Sequence, residues 1–388
     1  MPIQIKLKGI PDSAYSYHSR IVNVKCSSSR SFKTPTRAIT GYELNTKAKL
    51  GKKEYLDSEI GVVYKPLSQK MTHSILDDGK AFNNLHAQIG KSFKMMTYFD
   101  YSFAAIQPAE SVIKYLKNYK LIESFSRLQP LLQTQNDIKP DAISLPWLDL
   151  PLSEFKKYHS DNLNSYGNEY DIIPIIDPAS DHLDGILNYL VSLDGTDQVK
   201  IVGIKSRSYA SHLPEYEKIW NSFSNRDVLL SVLDVGRSLD NRVDKSLSGL
   251  HYSEFLIGDT FSPHVPIPAP PPSSSKPASQ ISFFDKDSLC VTRIKELEKT
   301  EGWQDKIFDE MNDSATKEII YNYHEADGDS AKMEILRKLS KVHEYKTSRE
   351  EFLDSQKYIS QGDIKSYIDQ KPELKNINPA SFQTQLFQ

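Results

Sequence analysis

Four apolar runs in the middle of the chain decide its fold: IIPIID (172–177), VKIVGIKSRS (199–208), VLLSVLDVGRS (228–238) and EFLIGDTFS (254–262). The runs begin 26 to 29 residues apart, and amphipathic sequence fills most of the gaps between them. Continuous runs of Val, Ile and Leu are typical of strands that are buried on both faces of a parallel sheet. Because each gap has room for one helix, the stretch predicts repeated β/α units.

The same alternation continues towards the amino terminus. Strands are predicted in GVVYKPL (61–67), KMMTYFDYS (94–102) and DAISLPWLDLP (141–151), and helices over 70–89, 108–132, 153–163, 181–193, 212–223 and 238–250. An eighth strand comes from either TPTRAIT (34–40) or ISFF (281–284). Eight parallel strands close into a (β/α)8 barrel of the TIM type, whereas six or seven form an open sheet. The long, even series favours the barrel.

The domain plan predicted from composition has four parts. Residues 1–60 are basic strands and loops that join the barrel, and residues 61–262 are the β/α barrel itself. Residues 263–280 are rich in Pro and Ser, which favours an extended linker. Residues 281–388 form a charged, helical carboxy-terminal region that ends in a disordered tail. Such helices suit packing or protein contact, so a protein partner or self-association is expected there.

Charge is distributed unevenly along the chain. The net charge is −3, which gives no global basic field, but residues 1–60 hold 11 Lys or Arg against 5 Asp or Glu. This excess predicts a surface for nucleic-acid phosphates; the alternative is an ordinary solvated edge. The residues of the predicted surface are Arg30, Lys33, Arg37, Lys47 and Lys49.

Several classes of function are disfavoured by what the sequence lacks. Its only cysteines, Cys26 and Cys290, form neither a disulfide framework nor a zinc cluster, so a reducing, cytoplasmic setting is expected. No glycine loop of the GxxxxGK[ST] or GxGxxG type follows a strand. We therefore expect no metal and no cofactor. The chain also shows no signal peptide and no apolar run long enough to span a bilayer, so no membrane association is expected.

Aspartates carry the clearest catalytic signal. Asp100, Asp149, Asp177, Asp234 and Asp259 each come at or just after the end of a predicted strand. In β/α folds, side chains at these ends surround the active site, where burial and neighbours shift their pKa towards catalytic values. Two such groups can divide the roles of nucleophile or base and acid. The alternative is that some of them cap the helices that follow.

Basic and aromatic side chains accompany these aspartates. Lys205 and Arg207 flank Ser206, and Arg237 precedes Ser238, so both pairs are candidate sites for a phosphate or carboxylate. Trp147 lies two residues before Asp149, where it could stack on a flat ring. The alternatives are salt bridges between neighbouring strand ends and an ordinary core tryptophan.

Across residues 31–262, the strand ends resemble those of the tRNA-guanine transglycosylase family, including its paralogues that insert 7-deazaguanine bases into DNA. The resemblance rests on Lys33-Thr34-Pro35 in the first strand, on Asp100 and Ser102 in YFDYS, and on Asp149 of LPWLD and Asp259 of IGDTFSP. The zinc-binding cysteines and the paired glycines of that family are absent, since only Cys290 follows the late strand and VKIVGIKSRS offers only Gly203.

The resemblance implies a base-exchanging glycosyltransferase. Asp259 would be the nucleophile at the sugar C1′, and Asp100 would protonate the leaving base. Asp149 and Trp147 would hold the base, together with Ser102, and a base in a duplex would be flipped out. The basic amino-terminal segment would contact the phosphates.

Three functions stay open at this point. The first is a divergent transglycosylase acting on a purine base in tRNA or DNA. The second is a barrel enzyme for a small anionic metabolite, with Lys205 and Arg207 on the anion and with Asp177, Asp234 and Arg237 around them. The third is a catalytically inactive barrel that serves as an assembly partner through its carboxy-terminal helices. Fold alone does not choose among them.

Overall fold

A computed structural model describes residues 3–9, 18–26, 30–41, 43, 60–77, 79–94, 99–117, 121–194, 196, 198–240, 243–265, 281–311 and 316–375. It is a mixed α/β protein with parallel sheets and a helical carboxy-terminal region. Within these ranges, no helix is long and apolar enough to cross a membrane.

The chain begins with a small antiparallel sheet of β1 (Gln4–Gly9), β2 (Ile21–Lys25) and β3 (Ser31–Lys33). Two very short strands follow, β4 (Thr36–Arg37) and β5 (Ile39–Thr40). They belong to two different parallel sheets and are separated only by Ala38. The TPTRAIT stretch therefore supplies strands, as predicted.

The first parallel sheet has five strands. Its order is β5, β6 (Ile60–Pro66), β7 (Tyr101–Gln107), β8 (Ala142–Ser144) and β9 (Asp171–Ile173), and every neighbouring pair is parallel. Both faces of this sheet are buried: alternate residues of β7 belong to two different apolar cores, Ala104 and Ile106 to one and Phe103 and Ala105 to the other. This two-sided burial explains the continuous apolar sequence.

The second parallel sheet also has five strands. Its order is β10 (Ile175–Ile176), β11 (Ile201–Lys205), β12 (Leu229–Val235), β14 (Thr260–Pro263) and β4. Only Pro174 separates β10 from β9 of the first sheet. The two sheets are thus joined by single residues along the chain at both of their edges, Ala38 at one and Pro174 at the other.

Helices fill the gaps between the parallel strands. They are α1 (Gln69–Asp77), α2 (Gly79–Lys94), α3 (Glu110–Lys117), α4 (Leu121–Ile138), α5 (Leu152–Tyr166), α6 (Leu183–Ser192) and α7 (Tyr209–Phe223). The regions predicted as single helices over 70–89 and 108–132 each hold two. The apolar sides of these helices face the sheets. Ile75 of α1 and Leu85 and Ile89 of α2, for example, are buried there.

A second, antiparallel sheet joins the carboxy-terminal region to the parallel strands. It consists of β13 (Lys245–Leu247), β16 (Cys290–Arg293) and β15 (Ser282–Asp285), and α8 (Gly249–Glu254) follows β13 directly. ISFF therefore lies in this sheet and not among the parallel strands. The carboxy-terminal region predicted as helical over 281–388 thus also contains two strands, β15 and β16.

The remaining helices are α9 (Ile294–Leu297), α10 (Trp303–Glu310), α11 (Lys317–Glu325), α12 (Asp329–Gln361), α13 (Ile364–Asp369) and α14 (Pro372–Lys375). The long helix α12 lies within the region 281–388 that was predicted to be helical. It packs against β4 and β15 rather than extending into solvent. Of the predicted linker, residues 266–280 lie outside the described residues, as does the predicted tail after Lys375.

Three predicted strands have wrong bounds. DAISLPWLDLP was expected to be a strand over 141–151, but β8 ends at Ser144, so Asp149 lies in the segment after the strand. KMMTYFDYS was expected to be a strand over 94–102, but Lys94 ends α2 and β7 begins only at Tyr101. EFLIGDTFS was expected over 254–262, but Glu254 ends α8 and β14 begins at Thr260. EFLIGDTFS holds a buried helix end followed by an apolar turn, which has the same composition as a strand, so the pattern could not separate them. Asp100 and Asp259 consequently precede their strands.

Candidate functional site

The carboxyl ends of the parallel strands carry a cluster of charged side chains. Asp177 follows β10, Lys205 ends β11, Arg207 follows it, and Asp234 lies near the end of β12. Parallel strands point the same way, so these ends share one side of the sheets. The sequence-based placement of these residues at strand ends is confirmed.

The centre of this cluster is a fork between Asp177 and Arg207. The Arg207 Nε donates to both carboxylate oxygens of Asp177, at 2.9 and 3.1 Å, and its Nη2 donates to Oδ2. The Asp177 side chain is fully buried, and its Oδ1 also accepts from the backbone N–H of Ala179 at 2.9 Å. The hydrogen bond with Asp177 raises the pKa of Arg207, so the guanidinium keeps its charge.

Lys205 lies between two carboxylates and an aromatic ring. Its Nζ bonds to Glu110, lies 3.6 Å from Asp177 and sits 4.0 Å from the centre of the Trp147 ring. Burial lowers the pKa of Lys205, and the bond to Glu110 only partly opposes this. Burial would raise the pKa of Glu110, but the hydrogen bond from Lys205 and the nearby cations bring it below its usual value.

Trp147 is held in place by its backbone. The Gln107 side chain accepts from the Trp147 N–H and donates to the Trp147 carbonyl, each at 3.1 Å. Two residues later, Asp149 has a left-handed backbone with φ +47°, and its carboxylate accepts from Ser180 at 3.3 Å. A non-glycine residue in this conformation is strained, and such strain is common at functional sites.

Asp234 forms an ion pair with His264, which follows β14. The Asp234 Oδ1 lies 2.9 Å from His264 Nδ1 and accepts from the Val265 N–H at 3.1 Å, while Asp234 itself has φ +64°. The hydrogen bond to Asp234 raises the pKa of His264, and half of the imidazole side chain (52 %) is exposed. A histidine that is oriented by a carboxylate in this way can act as a general acid or base.

Tyr64 is a further buried side chain on β6. Its pKa is raised by burial and then by the charges of Asp234 and Glu110.

A cavity of about 430 Å³ opens beside Arg207, between the carboxyl ends of β11 and β12. The amino-terminal end of α7 borders it at Ser208 and Tyr209, and Gly236 and Gly249 form its opposite side. Its polar side chains are Arg207, Ser206, Ser208, Ser238 and two tyrosines; none of the described residues that line it is Asp or Glu. A helix amino terminus, hydroxyls and one arginine together favour an anion.

Arg237 does not belong to the predicted anion site. Its guanidinium pairs with Glu344 of α12 and donates to the Ser282 carbonyl at 2.7 Å. The role predicted for Arg237 is therefore corrected, because this side chain fastens the carboxy-terminal region to the end of β12.

The predicted nucleophile, Asp259, is enclosed in the core and is not accessible to a substrate. It precedes β14, its side chain has no exposed surface, and its two oxygens accept from Arg20 at 2.9 and 2.7 Å. Its Oδ2 also accepts from the Leu230 N–H at 2.7 Å. A fully buried carboxylate that accepts three hydrogen bonds and is paired with a buried guanidinium is a structural anchor, so the nucleophilic role does not fit this position.

The predicted acid, Asp100, also lies at the amino end of its strand. Its carboxylate is 3.8 Å from Arg30, and both side chains are partly exposed. Ser102 is buried and its N–H and hydroxyl both donate to Asp141, at 2.7 and 2.9 Å. Neither residue is brought to the carboxyl-end cluster, because the strand starts at Tyr101 rather than ending there.

The predicted nucleic-acid surface is only partly available. Arg37 is buried, pairs with Glu43 and stacks over Tyr345 at 5.1 Å, so it is corrected from a surface residue to a core residue. Arg30 donates to the Phe99 carbonyl at 2.9 Å, and Lys33 is exposed. Lys47 and Lys49 lie outside the described residues.

Sequence reasoning missed three members of the cluster: Gln107, Glu110 and His264. Gln107 ends β7 and Glu110 begins α3, so both come just after a strand in the same way as the aspartates that were found. Because the strand was predicted over 94–102 and not at Tyr101–Gln107, these two residues were not recognised as following a strand. His264 stood inside the Pro-rich segment that was interpreted as linker.

Comparison of the chain with models of known protein families and with curated proteins found no match. Within the part of the chain that the structure describes, no group of three or more His, Cys, Asp or Glu side chains is arranged to hold a metal ion.

Proposed function

We propose that the two parallel sheets form one closed (β/α)8 barrel of the TIM type. Its ten parallel strands count as eight when β4 with β5, and β9 with β10, are each taken as one strand interrupted by a single residue. The pairing of β14 with β4 and the single-residue steps at Ala38 and Pro174 support closure at both edges. The two separate cores, one on each face of the strands, fit a filled barrel interior and an outer helix layer. In such a barrel, the cluster around Asp177 lies at the catalytic end.

We further propose that the protein is a barrel enzyme that acts on a small phosphate-bearing metabolite. The observation that carries the proposal is the cavity beside Arg207, whose lining offers a helix amino terminus, three serines and no described carboxylate. The Arg207 guanidinium also borders it, although its charge is shared with Asp177 and Glu110. A lining of this kind stabilises an anion and does not repel it. Its volume of about 430 Å³ suits a small metabolite.

The chemistry would take place towards Lys205 and the Asp234–His264 pair. His264 has an exposed ring and a carboxylate that orients it, which suits it to transfer protons to and from a bound substrate. Lys205, desolvated and beside a second cation, supplies either a positive charge or an amine nucleophile. Trp147 and Asp177 both contact the ammonium group of that lysine, at 4.0 Å from the ring centre and 3.6 Å from a carboxylate oxygen.

Phosphate binding tests this proposal. Inorganic phosphate and glycerol phosphate are titrated into wild-type protein and into Ser208→Asp, followed by calorimetry. Ser208 is exposed at the start of α7, where aspartate is a favoured capping residue, so the fold is kept while a negative charge enters the cavity. We expect phosphate affinity to fall at least about tenfold.

The matched control is Asn221→Asp, which places the same charge at an exposed position near the opposite end of the same helix, roughly 20 Å from Ser208 and outside the cavity lining. Its affinity is expected to stay within about threefold of wild type. Equal loss in both variants, or no phosphate binding by the wild type at low salt, would overturn the proposal.

Base exchange through Asp259 receives less support from the site. It needs Asp259 and Asp100 at one sugar, whereas Asp259 is enclosed by Arg20 and both residues precede their strands. Salt-dependent binding to tRNA or DNA by the wild-type chain would favour the nucleic-acid function over the metabolite function.

A further inference from the structure

The carboxy-terminal region contains a second cavity, which the proposed function does not use. It has a volume of about 330 Å³ and lies between the antiparallel sheet and helices α9, α10 and α12. This volume is at the lower end of the range for small-molecule sites. No residue that lines this cavity also lines the cavity beside Arg207.

Aromatic rings form one side of the second cavity. Phe283 of β15 and Trp303 of α10 have ring centres 6.1 Å apart, and the His343 ring is nearly perpendicular to Phe283 with ring centres 5.5 Å apart. Phe283 is buried and Trp303 is partly exposed. Such rings present negative π faces, which attract a cation.

Carboxylates dominate the polar part of the lining. Four acidic side chains face two basic ones: Asp285, Glu296, Glu301 and Glu310 against Lys245 and Lys306. Both lysines are neutralised, Lys306 by Asp285 at 3.3 Å and Lys245 by Glu373 at 3.6 Å. Glu296 pairs with Lys299 at 2.5 Å, which leaves the charges of Glu301 and Glu310 in surplus. The cavity therefore keeps a surplus of negative charge, which favours a positively charged ligand.

His343 supplies an unused acceptor. Its side chain is 1 % exposed, and its Nε2 lies 2.6 Å from a carboxylate oxygen of Glu310. That contact requires the proton on Nε2, so in the neutral ring Nδ1 carries a lone pair. Among the described residues, Nδ1 has no hydrogen-bond partner although it is buried. A buried acceptor without a donor is rare and costs free energy unless a ligand satisfies it.

We propose that this cavity binds a small organic cation that carries several N–H donors, of which a guanidinium is the best match. The ring faces of Phe283 and Trp303 hold its apolar part, and Glu310, Glu301 and His343 Nδ1 accept its hydrogen bonds. A planar fork of N–H groups satisfies several acceptors at once, which a single ammonium does less completely.

The test compares two probes of nearly the same shape. n-Butylguanidinium carries the charge and the donor fork, whereas n-butylurea is uncharged. Calorimetry and the chemical shifts of the Trp303 indole are followed in the full chain, with no phosphate present. We expect the cation to bind at concentrations of about 10 mM or below and the urea not to bind. Equal binding of both probes, or binding of neither, would overturn the proposal.

Two variants assign the acceptors. Glu310→Gln should weaken n-butylguanidinium binding about tenfold, since it removes a partly buried charge from the hydrogen bond. Because Glu310 also holds His343, Glu301→Gln at the exposed rim serves as a second variant that does not endanger folding, with an expected loss of about threefold.

The control is Glu325→Gln, which makes the same change of charge at an exposed end of α11 outside the cavity. Its affinity for the cation should equal that of the wild type. If Glu325→Gln weakens binding as much as Glu301→Gln does, the attraction comes from the net charge of the region and the site is refuted. None of these outcomes depends on the cavity beside Arg207, so this proposal and the proposed function can fail separately.

Discussion

At the scale of single residues, Arg20 and Asp259 form a completely buried ion pair. Arg20 additionally donates to the carbonyls of Phe223 and Val228, so this guanidinium ties the end of α7 and the start of β12 to the segment before β14. Burying two charges costs desolvation energy, and the geometry offsets that cost only while both partners are present.

Asp259→Asn is therefore expected to destabilise the protein by about 3–5 kcal/mol, because the Arg20 charge stays buried without its partner. Urea unfolding measures the change. The control is Asp184→Asn, which breaks an exposed pair with Lys218 and should cost less than about 1 kcal/mol. A variant as stable as the wild type would contradict the structural role and return Asp259 to consideration as a nucleophile.

The residue types of the site were predictable, but some of their positions were not. Asp177, Lys205, Arg207 and Asp234 were found because each follows an unambiguous run of Val, Ile and Leu. Asp259 looks the same in sequence, since IGDTF reads as a strand end. Its partner, Arg20, lies 239 residues away along the chain, and no local pattern reports such a contact.

At the scale of elements, α8 approaches the loop after β12 more closely than a side chain allows. A Cβ on Gly249, the first residue of α8, would lie 2.1 Å from the Gly236 carbonyl oxygen. This contact shapes one side of the cavity beside Arg207, where both glycines lie. The absence of a side chain is thus what lets the two segments meet.

Gly249→Ala should destabilise the protein by about 1–3 kcal/mol, because backbone atoms must move apart. Thermal unfolding is the measurement, with Gly90→Ala as the matched control. Gly90 lies inside α2, and its added methyl would meet nothing closer than 3.8 Å. There the same substitution should stabilise the protein by about 0.5–1 kcal/mol. The same sign of change in both variants would refute the close-approach account.

Helices and strands with strong periodicity were predicted well, and their boundaries less so. The ends of the strands β6, β11 and β12 lie one to three residues from the ends of the runs that predicted them. The displaced strand β14 follows α8, whose six residues are all buried. A helix of six residues that is buried on every side, with His251 and Glu254 among them, shows no 3.6-residue alternation of apolar and polar residues, so the period could not reveal it.

At the scale of the whole molecule, α12 is part of the same core as the parallel strands. Phe352 is 1 % exposed and stacks on Phe261 of β14 at 5.5 Å and on His251 of α8 at 4.4 Å. Gln356 of the same helix donates to the Pro35 carbonyl at 2.7 Å. The composition of the chain predicted a separate helical region after a Pro-rich linker. Contacts between residues that are distant along the chain cannot be recognised from local sequence, so the shared core was not predicted.

Phe352→Ala is expected to destabilise the parallel sheets as well as the helical region, by about 3–5 kcal/mol. Hydrogen exchange of the β12 and α12 amides, measured together, tests this. Leu353→Ala removes the adjacent side chain, which is 38 % exposed, and should cost less than about 1 kcal/mol. If Phe352→Ala speeds exchange in α12 but not in β12, the carboxy-terminal region is an independent unit.

The pairing of β4 with β14 has a consequence for biosynthesis. Thr36 is paired with Thr260, so β4 cannot pair with β14 until more than 220 further residues have been synthesised. At a translation rate of roughly 5–20 residues per second, this delay is on the order of 10–40 s. During that time the nascent chain carries an open strand edge and an arginine, Arg20, whose counter-charge has not yet been made. Folding of the parallel strands can therefore finish only when translation has passed β14.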